Sequence, residues 1–486
     1  MNFARDVVDG ADPQRLAMIE LARDGSRREW RFGEVSQRSA ALAGTLTRLG
    51  VGRGDVVMTL IGNRPEWVLA MVACFRIGAI ALPCNEQLRA HDLELRLAAA
   101  SPQAILVDER DLGELTRARP DCRVLTIPDR SLFEGEPARA VELAPTDPCL
   151  VTFTSGTVGE AKGIVHGQRY LPGQRLQAEY WLGGAPGALV WCTAASGWSK
   201  SARNVFIAPW ISGAAALLHD ARFDPHERLE ILARERVNVL CMAPTEYRVI
   251  AKRAEIKPLP ELRGLVAAGE ALNPEVLRSF RETTGLEIRD GYGQTETGQL
   301  TGMPVGAPVR PGSMGTALPG VQLAIDDHEL VLSDPRSDPT FFVGYLGGRS
   351  APMDVPWHTG DRVHRDEDGY LYFEGRADDL IISAGYRIGP FEVESALVSH
   401  PAVFEAAVVA APDEERGAVV RAIVVVREGF TAGPELARAL QDHVKTETAP
   451  YKYPRIVEFA AELPRTASGK IRRAVLRTQH FGSGLG

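Results

Sequence analysis

Several things that would settle the class of this chain at once are missing from it. Its six cysteines, Cys74, Cys84, Cys122, Cys149, Cys192 and Cys241, form no CxxC pair and all fall in the first half of 486 residues. A disulfide framework or zinc cluster is therefore not expected, and reduced, buried thiols fit a cytosolic enzyme. Histidines at metal spacing are also missing, since His358 and His364 stand six apart rather than four. Positive charge is not in excess: Lys plus Arg is 55 against 63 for Asp plus Glu, a net charge of -8. That excludes the basic footprint of a general nucleic-acid binder. Long apolar runs are lacking too. The run Trp67 to Phe75 ends at Arg76, and Phe206 to Leu218 contains Pro209, so neither can span a bilayer. The opening segment carries Arg5, Asp6 and Asp9 where a secretion signal needs apolar residues, and the expected location is the cytoplasm. There is no internal repeat and no low-complexity tract.

What is present is an α/β texture. At about 150 residues per domain the length suggests three packing units. Val56–Ile61, Ala104–Val107, Val124–Ile127, Cys149–Phe153, Val237–Met242 and Leu265–Ala268 read as short buried strands. Pro65–Ala79 reads as a helix with proline in its first turn. Strands alternating with helices predict stacked, mostly parallel sheets. After about Val321 the texture changes to that of a small α+β unit, with strands at Glu329–Leu332, Tyr370–Phe373, Ala406–Ala410 and Ala422–Val426 and helices at Pro390–Ser399 and Pro434–Thr448. The expected domain boundary is the polar Gly375–Asp379 segment, giving domains 1–377 and 378–486. The tail carries Arg465, Lys470, Arg472, Arg473 and Arg477 without an acidic residue among them. It reads either as a solvated basic end or as a cap that meets polyphosphate.

Five segments carry chemistry. Thr154-Ser155-Gly156-Thr157-Val158-Gly159-Glu160-Ala161-Lys162-Gly163 follows a strand. Its glycines let backbone N–H groups approach an anion, and its hydroxyls and ammonium add donors. It is not a Walker A loop. Asp290-Gly291-Tyr292-Gly293-Gln294-Thr295-Glu296-Thr297-Gly298 also follows a strand-like run, where open α/β sheets bind ligands. Tyr292 offers a flat face for a base, Thr295 can reach a phosphate, and Glu296 is a hard oxygen ligand suited to Mg²⁺. Glu296 stands where a dinucleotide GxGxxG would need its third glycine. Trp357-His358-Thr359-Gly360-Asp361 supplies a carboxylate for the two hydroxyls of a ribose. Ala384-Gly385-Tyr386-Arg387-Ile388-Gly389-Pro390 and Pro464–Arg473 complete the set. In the last, Lys470 follows a flexible Ser-Gly pair, so its ammonium can swing.

In this order the segments resemble the adenylate-forming superfamily of acyl-CoA synthetases, luciferases and peptide-synthetase adenylation domains, over nearly the whole chain. GYRIGPFEVESAL (Gly385 to Leu397), APYKYPRIVEF (Ala449 to Phe459) and GYGQTETG (Gly291 to Gly298) are most similar to the medium-chain acyl-CoA synthetase branch. Val158 and Ala161 stand where the family usually has Thr and Pro. The resemblance implies a large α/β domain of stacked, mostly parallel sheets with helices and a small mobile C-terminal α+β domain. It implies an ATP-dependent, AMP-forming acid–CoA ligase using ATP, Mg²⁺ and CoA on a small monocarboxylic acid, medium-chain or aromatic.

It also implies roles. Lys470 would bridge carboxylate and α-phosphate, Glu296 would hold Mg²⁺, and Arg387 would contact phosphate. Thr154, Ser155, Gly156, Thr157, Gly159 and Lys162 would cradle the outer phosphates. Tyr292 would stack on adenine near Gly269 and Glu270, with Asp290, Gly291, Gly293, Gln294 and Thr295 around the nucleotide. Asp361 and Arg376 would hold ribose. Asp378 would be the hinge. Ala384, Gly385 and Tyr386 would face the CoA tunnel, with Arg416, Lys445, Tyr451, Lys452 and Tyr453 contacting CoA. Trp198, Phe206 and Trp210 are candidates for the acyl pocket, with ordinary core an equal reading for each. Two alternatives stay open: an adenylating enzyme that loads a carrier protein, and a non-catalytic nucleotide or acyl-adenylate sensor.

Overall fold

The computed structural model describes residues 1–154, 162–269, 274–377, 379–384, 386–465, 471–479 and 482–483. Two large sheets dominate. The first has nine strands in the spatial order Thr316–Ala317, Thr301–Gly302, Ile288–Tyr292, Gly264–Ala268, Val239–Met242, Leu189–Cys192, Ala215–His219, Leu16–Leu21 and Arg27–Arg31. The second has seven, in the order Gly344–Tyr345, Lys162–Gly167, Pro148–Thr154, Ile80–Cys84, Val56–Leu60, Ala104–Asp108 and Arg123–Ile127. Their centres are parallel and their edges carry the antiparallel pairs.

The alternation of side chains along a strand explains the layering. In Leu189–Cys192, Val190 and Cys192 join one core while Leu189 and Trp191 join another. The first core also takes alternate residues of the second sheet, Val57, Ala81 and Leu106, together with the helix Pro65–Ile77. That helix lies between the two sheets and is buried nearly all round, as a helix apolar on every face must be. It stops at Gly78, whose φ of 73° lets Ala79 N donate to Cys74 O at 3.0 Å. The outer faces are closed by Pro225–Arg234, Pro244–Arg253 and Pro274–Thr284 on the first sheet and by Ala90–Ala100 on the second.

The change of texture at Val321 marks a third sheet rather than the start of the C-terminal unit. Leu323–Asp326, Glu329–Leu332, Trp357–Arg365 and Leu371–Arg376 form four antiparallel strands. Leu332 packs with Ile164, Leu300, Phe341 and Phe342, so this sheet belongs with the large ones. Two further apolar clusters contain only residues from Ile381 onward. They lie on the two sides of a sheet ordered Val403–Asp413, Gly417–Val426, Ile456–Phe459 and Gly482–Ser483. Between the large and C-terminal parts, Lys252 Nζ donates to Phe404 O at 2.5 Å.

Candidate functional site

Of the polar residues singled out by sequence, Asp290 and Tyr292 lie at the carboxyl end of a parallel strand of the first sheet, and Gln294 to Glu296 in the turn that follows. Gly264–Ala268 pairs in register with Ile288–Tyr292, Ala268 opposite Gly291. The chain then turns through Gly293, where an added Cβ would come within 1.8 Å of Gly298 O. The second glycine of GYG is thus required by a close backbone approach, not by a bound pyrophosphate.

Beyond that turn lies a buried carboxylate. Asp361, only 4% exposed, accepts from the Tyr292 hydroxyl and from Gln294 Nε2 at 2.8 Å. Gln294 Nε2 also donates to Thr359 O at 2.6 Å, and Trp357 Nε1 donates to Gln294 Oε1 at 3.2 Å. Arg376 Nε stands 3.5 Å from Asp361 Oδ1. Burial first, and then the charge of Asp361, hold the Tyr292 phenol well above its ordinary pKa, so it stays a donor at neutral pH. The structure therefore brings Tyr292, Gln294, Asp361 and Arg376 together, with the tyrosine hydroxyl committed to the aspartate.

On the other side of the same strand end, Glu296 is joined to the third-sheet region through its backbone, its carbonyl accepting from Phe342 N at 2.8 Å. Thr340 Oγ1 donates to Thr297 O at 2.6 Å. Tyr345 lies under Lys162, whose Nζ is 5.7 Å from the ring centroid. The Tyr345 phenol is pushed up by burial and then by the Glu296 charge. Lys162, Tyr345 and Glu296 thus form one cluster. Thr154 pairs with Lys162 in an antiparallel register, so the two residues that flank the glycine-rich segment stand side by side. Ser155, Gly156, Thr157 and Gly159 lie outside the described residues, as do Glu270, Asp378, Gly385, Lys470 and the side chain of Arg387.

Sequence reasoning missed His166, which is 2% exposed. Burial lowers its pKa to about 3, and the backbones of Thr295 and Thr340 stand against it. A neutral imidazole thus supports the Thr295 turn. No spacing in the sequence marks it apart from other histidines.

A cavity opens at the ends of Leu189–Cys192, Val239–Met242 and Gly264–Ala268, lined by Cys192, Trp198, Lys200, Cys241, Met242 and Ala268 among others. Its volume is ≈ 10 Å³, about one water's worth, so anything larger enters only as lining side chains shift. Lys200 Nζ donates to Ala268 O at 2.9 Å. Burial lifts the Asp290 carboxyl to about 8, while Gly291 N–H and Lys200 pull it back. Of the three aromatic candidates only Trp198 lines this cavity. Phe206 and Trp210 belong to the core between the sheets, their rings 5.0 Å apart, with Trp210 Nε1 donating to Ala17 O at 2.8 Å. Large aromatic area and a satisfied indole explain that placement.

In the C-terminal part, Ala384 has a φ of 49° and its N–H donates to Arg416 O at 3.0 Å. Tyr386 is 52% exposed and stacks on Tyr451 with centroids 4.2 Å apart. Lys452 pairs with Glu392 at 2.5 Å, Lys445 with Asp442 at 2.8 Å, and Arg416 with Glu415 at 3.1 Å. Lys445 lies 4.5 Å from the Tyr453 ring centroid. Three tail cations are paired as well: Arg465 with Glu405, Arg473 with Glu394 and Arg477 with Asp379. Arg465 also bridges Ile471 in backbone, so the ends of the segment holding Lys470 meet. Among the described residues no group of three or more His, Cys, Asp or Glu could hold a metal. A single carboxylate such as that of Glu296 would fit Mg²⁺ shared with phosphates, and not a closed protein cage.

Comparison with known proteins gives a consistent result. The model of the AMP-binding enzyme family matches residues 7–336, and that of the AMP-binding enzyme C-terminal domain matches residues 392–470. The chain is 39% identical to the mitochondrial acyl-coenzyme A synthetase ACSM4 of Homo sapiens, over 99% of this chain and 90% of the relative. It is 37% identical to the uncharacterized acyl–CoA ligase YtcI of Bacillus subtilis (strain 168), over 96% of this chain and 93% of that one. Among solved structures, the anthranilate CoA ligase AuaEII in complex with anthranoyl-AMP superposes with a TM-score of 0.88 at 28% identity, covering 98% of this chain and 97% of the other.

Proposed function

The chain belongs to the AMP-binding enzyme family, and from that premise we propose how its own residues carry out the reaction. It is an AMP-forming acid–CoA ligase that uses ATP, Mg²⁺ and CoA. A carboxylate oxygen bonds to the α-phosphorus of ATP and pyrophosphate leaves. The CoA thiol then attacks the acyl carbon, the carbon–oxygen bond to phosphate breaks, and AMP leaves. The substrate we propose is a medium-chain or aromatic monocarboxylate, and the compartment the cytoplasm. Among the described residues no helix is long and apolar enough to cross a membrane.

The observation that carries the residue assignment is one strand end. Gly291 faces Ala268 at the wall of the Trp198 cavity, and the next residue, Tyr292, donates to Asp361. An acid in the cavity and a nucleotide on Asp361 would thus meet within one or two residues of the same strand, roughly 3–7 Å apart. In this reading Asp361 accepts the ribose hydroxyls, with Arg376 beside it. Tyr292 and Gly269 flank the adenine. Thr154 and Lys162 with the loop between them take the outer phosphates. Glu296 supplies the oxygens that would hold Mg²⁺, which when bound neutralises phosphate charge, and Thr295 reaches a phosphate.

The remaining obstacle is repulsion. Two negative charges ~3.5 Å apart at an effective dielectric of ~20 repel by about 5 kcal/mol. Lys470 and Arg387 are assigned to offset it in the first half-reaction. In the second, domain 378–486 turns on Asp378 and brings Ala384, Gly385 and Tyr386 to the thiol's path, with Arg416, Lys445, Tyr451, Lys452 and Tyr453 toward CoA. The test is a panel of carboxylic acids assayed for pyrophosphate with and without CoA. Acid-dependent pyrophosphate and CoA-dependent acyl-CoA are expected. ATP binding with no pyrophosphate from any acid would overturn the reading in favour of a sensor.

A further inference from the structure

Lys200 had no role in the sequence reading, yet it stands between the two halves of the proposed site. It follows the strand Leu189–Cys192 by a short connection and lines the same cavity as Trp198. Its ammonium is held by one neutral acceptor, Ala268 O, at 2.9 Å. A lysine has three donors, and among the described residues no carboxylate lies within ion-pair distance of it. The other charged group of the cavity wall, Glu246, is already satisfied. It accepts from Thr193 Oγ1 at 2.5 Å and from Arg228 Nη2 at 3.1 Å. Lys200 is therefore the cation with unused donors at this wall.

Its place is at the mouth rather than the floor. Ala268 is the last residue of its strand and Gly269 follows with φ 104°, a conformation L side chains rarely adopt. A Cβ on Gly269 would come within 3.3 Å of Lys200 Nζ. The field of Lys200 reaches Asp290 on the neighbouring strand, two residues before Tyr292. An acid entering with its acyl end among Trp198, Met242 and Cys241 leaves its carboxylate at this mouth, facing the turn that begins at Tyr292.

We propose that Lys200 binds the reacting carboxylate of the acid substrate, holding it at the mouth of the Trp198 cavity beside Gly269 before adenylation. This rests on the ligase reading above. The bond is one ammonium to one carboxylate oxygen, charge-assisted and partly shielded from water. The ammonium keeps its tether to Ala268 O and aims a spare donor at the acid. A second acidic group on the substrate would satisfy the same chemistry, and the assay below separates the two sources.

The experiment uses the full chain and pyrophosphate release at saturating ATP, with simple monocarboxylates. In Lys200→Met the KM for the acid should rise about 10- to 100-fold, the range of a lost charge-assisted hydrogen bond. The KM for ATP should stay within about twofold. Lys200→Arg should recover part of the loss. The uncharged carboxamide of the same acid, used as a competitive inhibitor, should bind wild type and Lys200→Met alike. Melting temperatures of both variants report whether the fold is intact, and Lys200→Arg serves if Lys200→Met fails to fold. An unchanged KM for monocarboxylates overturns the proposal, and so does an effect confined to acids with a second anionic group. Equal losses for acid, carboxamide and ATP would mean that the Ala268 tether is structural, which also overturns it. If the wild type itself releases no pyrophosphate with any acid, the ligase reading fails first and this inference with it.

Discussion

In the large unit, Asp361 is buried and its partners converge on it from a strand and a turn: Tyr292, Gln294 and, farther out, Arg376. In the C-terminal unit the charged side chains pair within the unit: Arg465 with Glu405, Arg473 with Glu394, Arg477 with Asp379, and Lys452 with Glu392. The first arrangement assembles a polar site at the ends of buried strands, where the backbone is fixed by cores on both sides. The second fastens a tail and a helix to their own sheet. The cluster on Asp361 is thus assembled from residues of the large unit alone, while these small-unit cations are held by their own unit's carboxylates. A reaction in two steps can then exchange one unit's contribution without rebuilding the other's.

The largest effect should come from the small unit's assigned ammonium. Lys470→Ala should lower acid-dependent pyrophosphate release by about a thousandfold or more, the rate equivalent of ~5 kcal/mol. Acyl-CoA formation from supplied acyl-adenylate should be spared. Equal loss in both assays would remove the contrast between the units.

Next come two tryptophans that the sequence could not tell apart. Trp210→Ala should cost about 3–5 kcal/mol in urea unfolding, because its ring packs between Phe32 and Phe206 with a satisfied indole. Trp198→Ala should cost much less and instead change the preference among acids, read as relative kcat/KM. Trp210→Ala with unaltered stability would contradict the core placement.

Smaller is the effect of Asp361→Asn, which keeps the shape but drops the charge. The KM for ATP should rise about tenfold, with the KM for CoA unchanged, as measured by initial rates. A change in the CoA constant alone would place Asp361 with the small unit's chemistry.

The last pair of effects are pH slopes of stability, spread over several pH units, and they run in opposite directions. His166 is held at about 3 in the folded chain by burial, against roughly 6.5 unfolded. The unfolded state binds the extra proton, so stability falls as pH drops from about 6.5 toward 3. Asp290 is raised to about 8 by burial, against roughly 3.9 unfolded. Here the folded state binds the extra proton, so stability falls as pH rises from about 4 to 8. Asp290→Asn should therefore gain on wild type across that window in denaturant titrations. A gap that stays constant with pH would mean Asp290 is ionised in the folded chain.

Much of the framework was legible in the sequence. Short β-rich runs between helical stretches marked the central strands to within a residue or two, because a strand buried on both faces is apolar throughout. Glu329–Leu332 and Pro390–Ser399 recur with the expected ends. The texture change at Val321 was visible, but not that it announces a third sheet packed with the large ones, since antiparallel strands look alike wherever they dock. The cationic tail shows the same limit. Arg473 and Glu394 are 79 residues apart, and no local pattern announces such a pairing. His166 escaped because it matters through backbone brought in from Thr295 and Thr340, far away in the chain.

The account stands on a carboxylate oxygen becoming bonded to the α-phosphorus of ATP. The most direct measurement labels both oxygens of the acid substrate with ¹⁸O and follows one turnover with ATP and CoA by mass spectrometry. The account predicts one labelled oxygen in AMP and the other in the thioester carbonyl. AMP without label, or label in pyrophosphate, would contradict it.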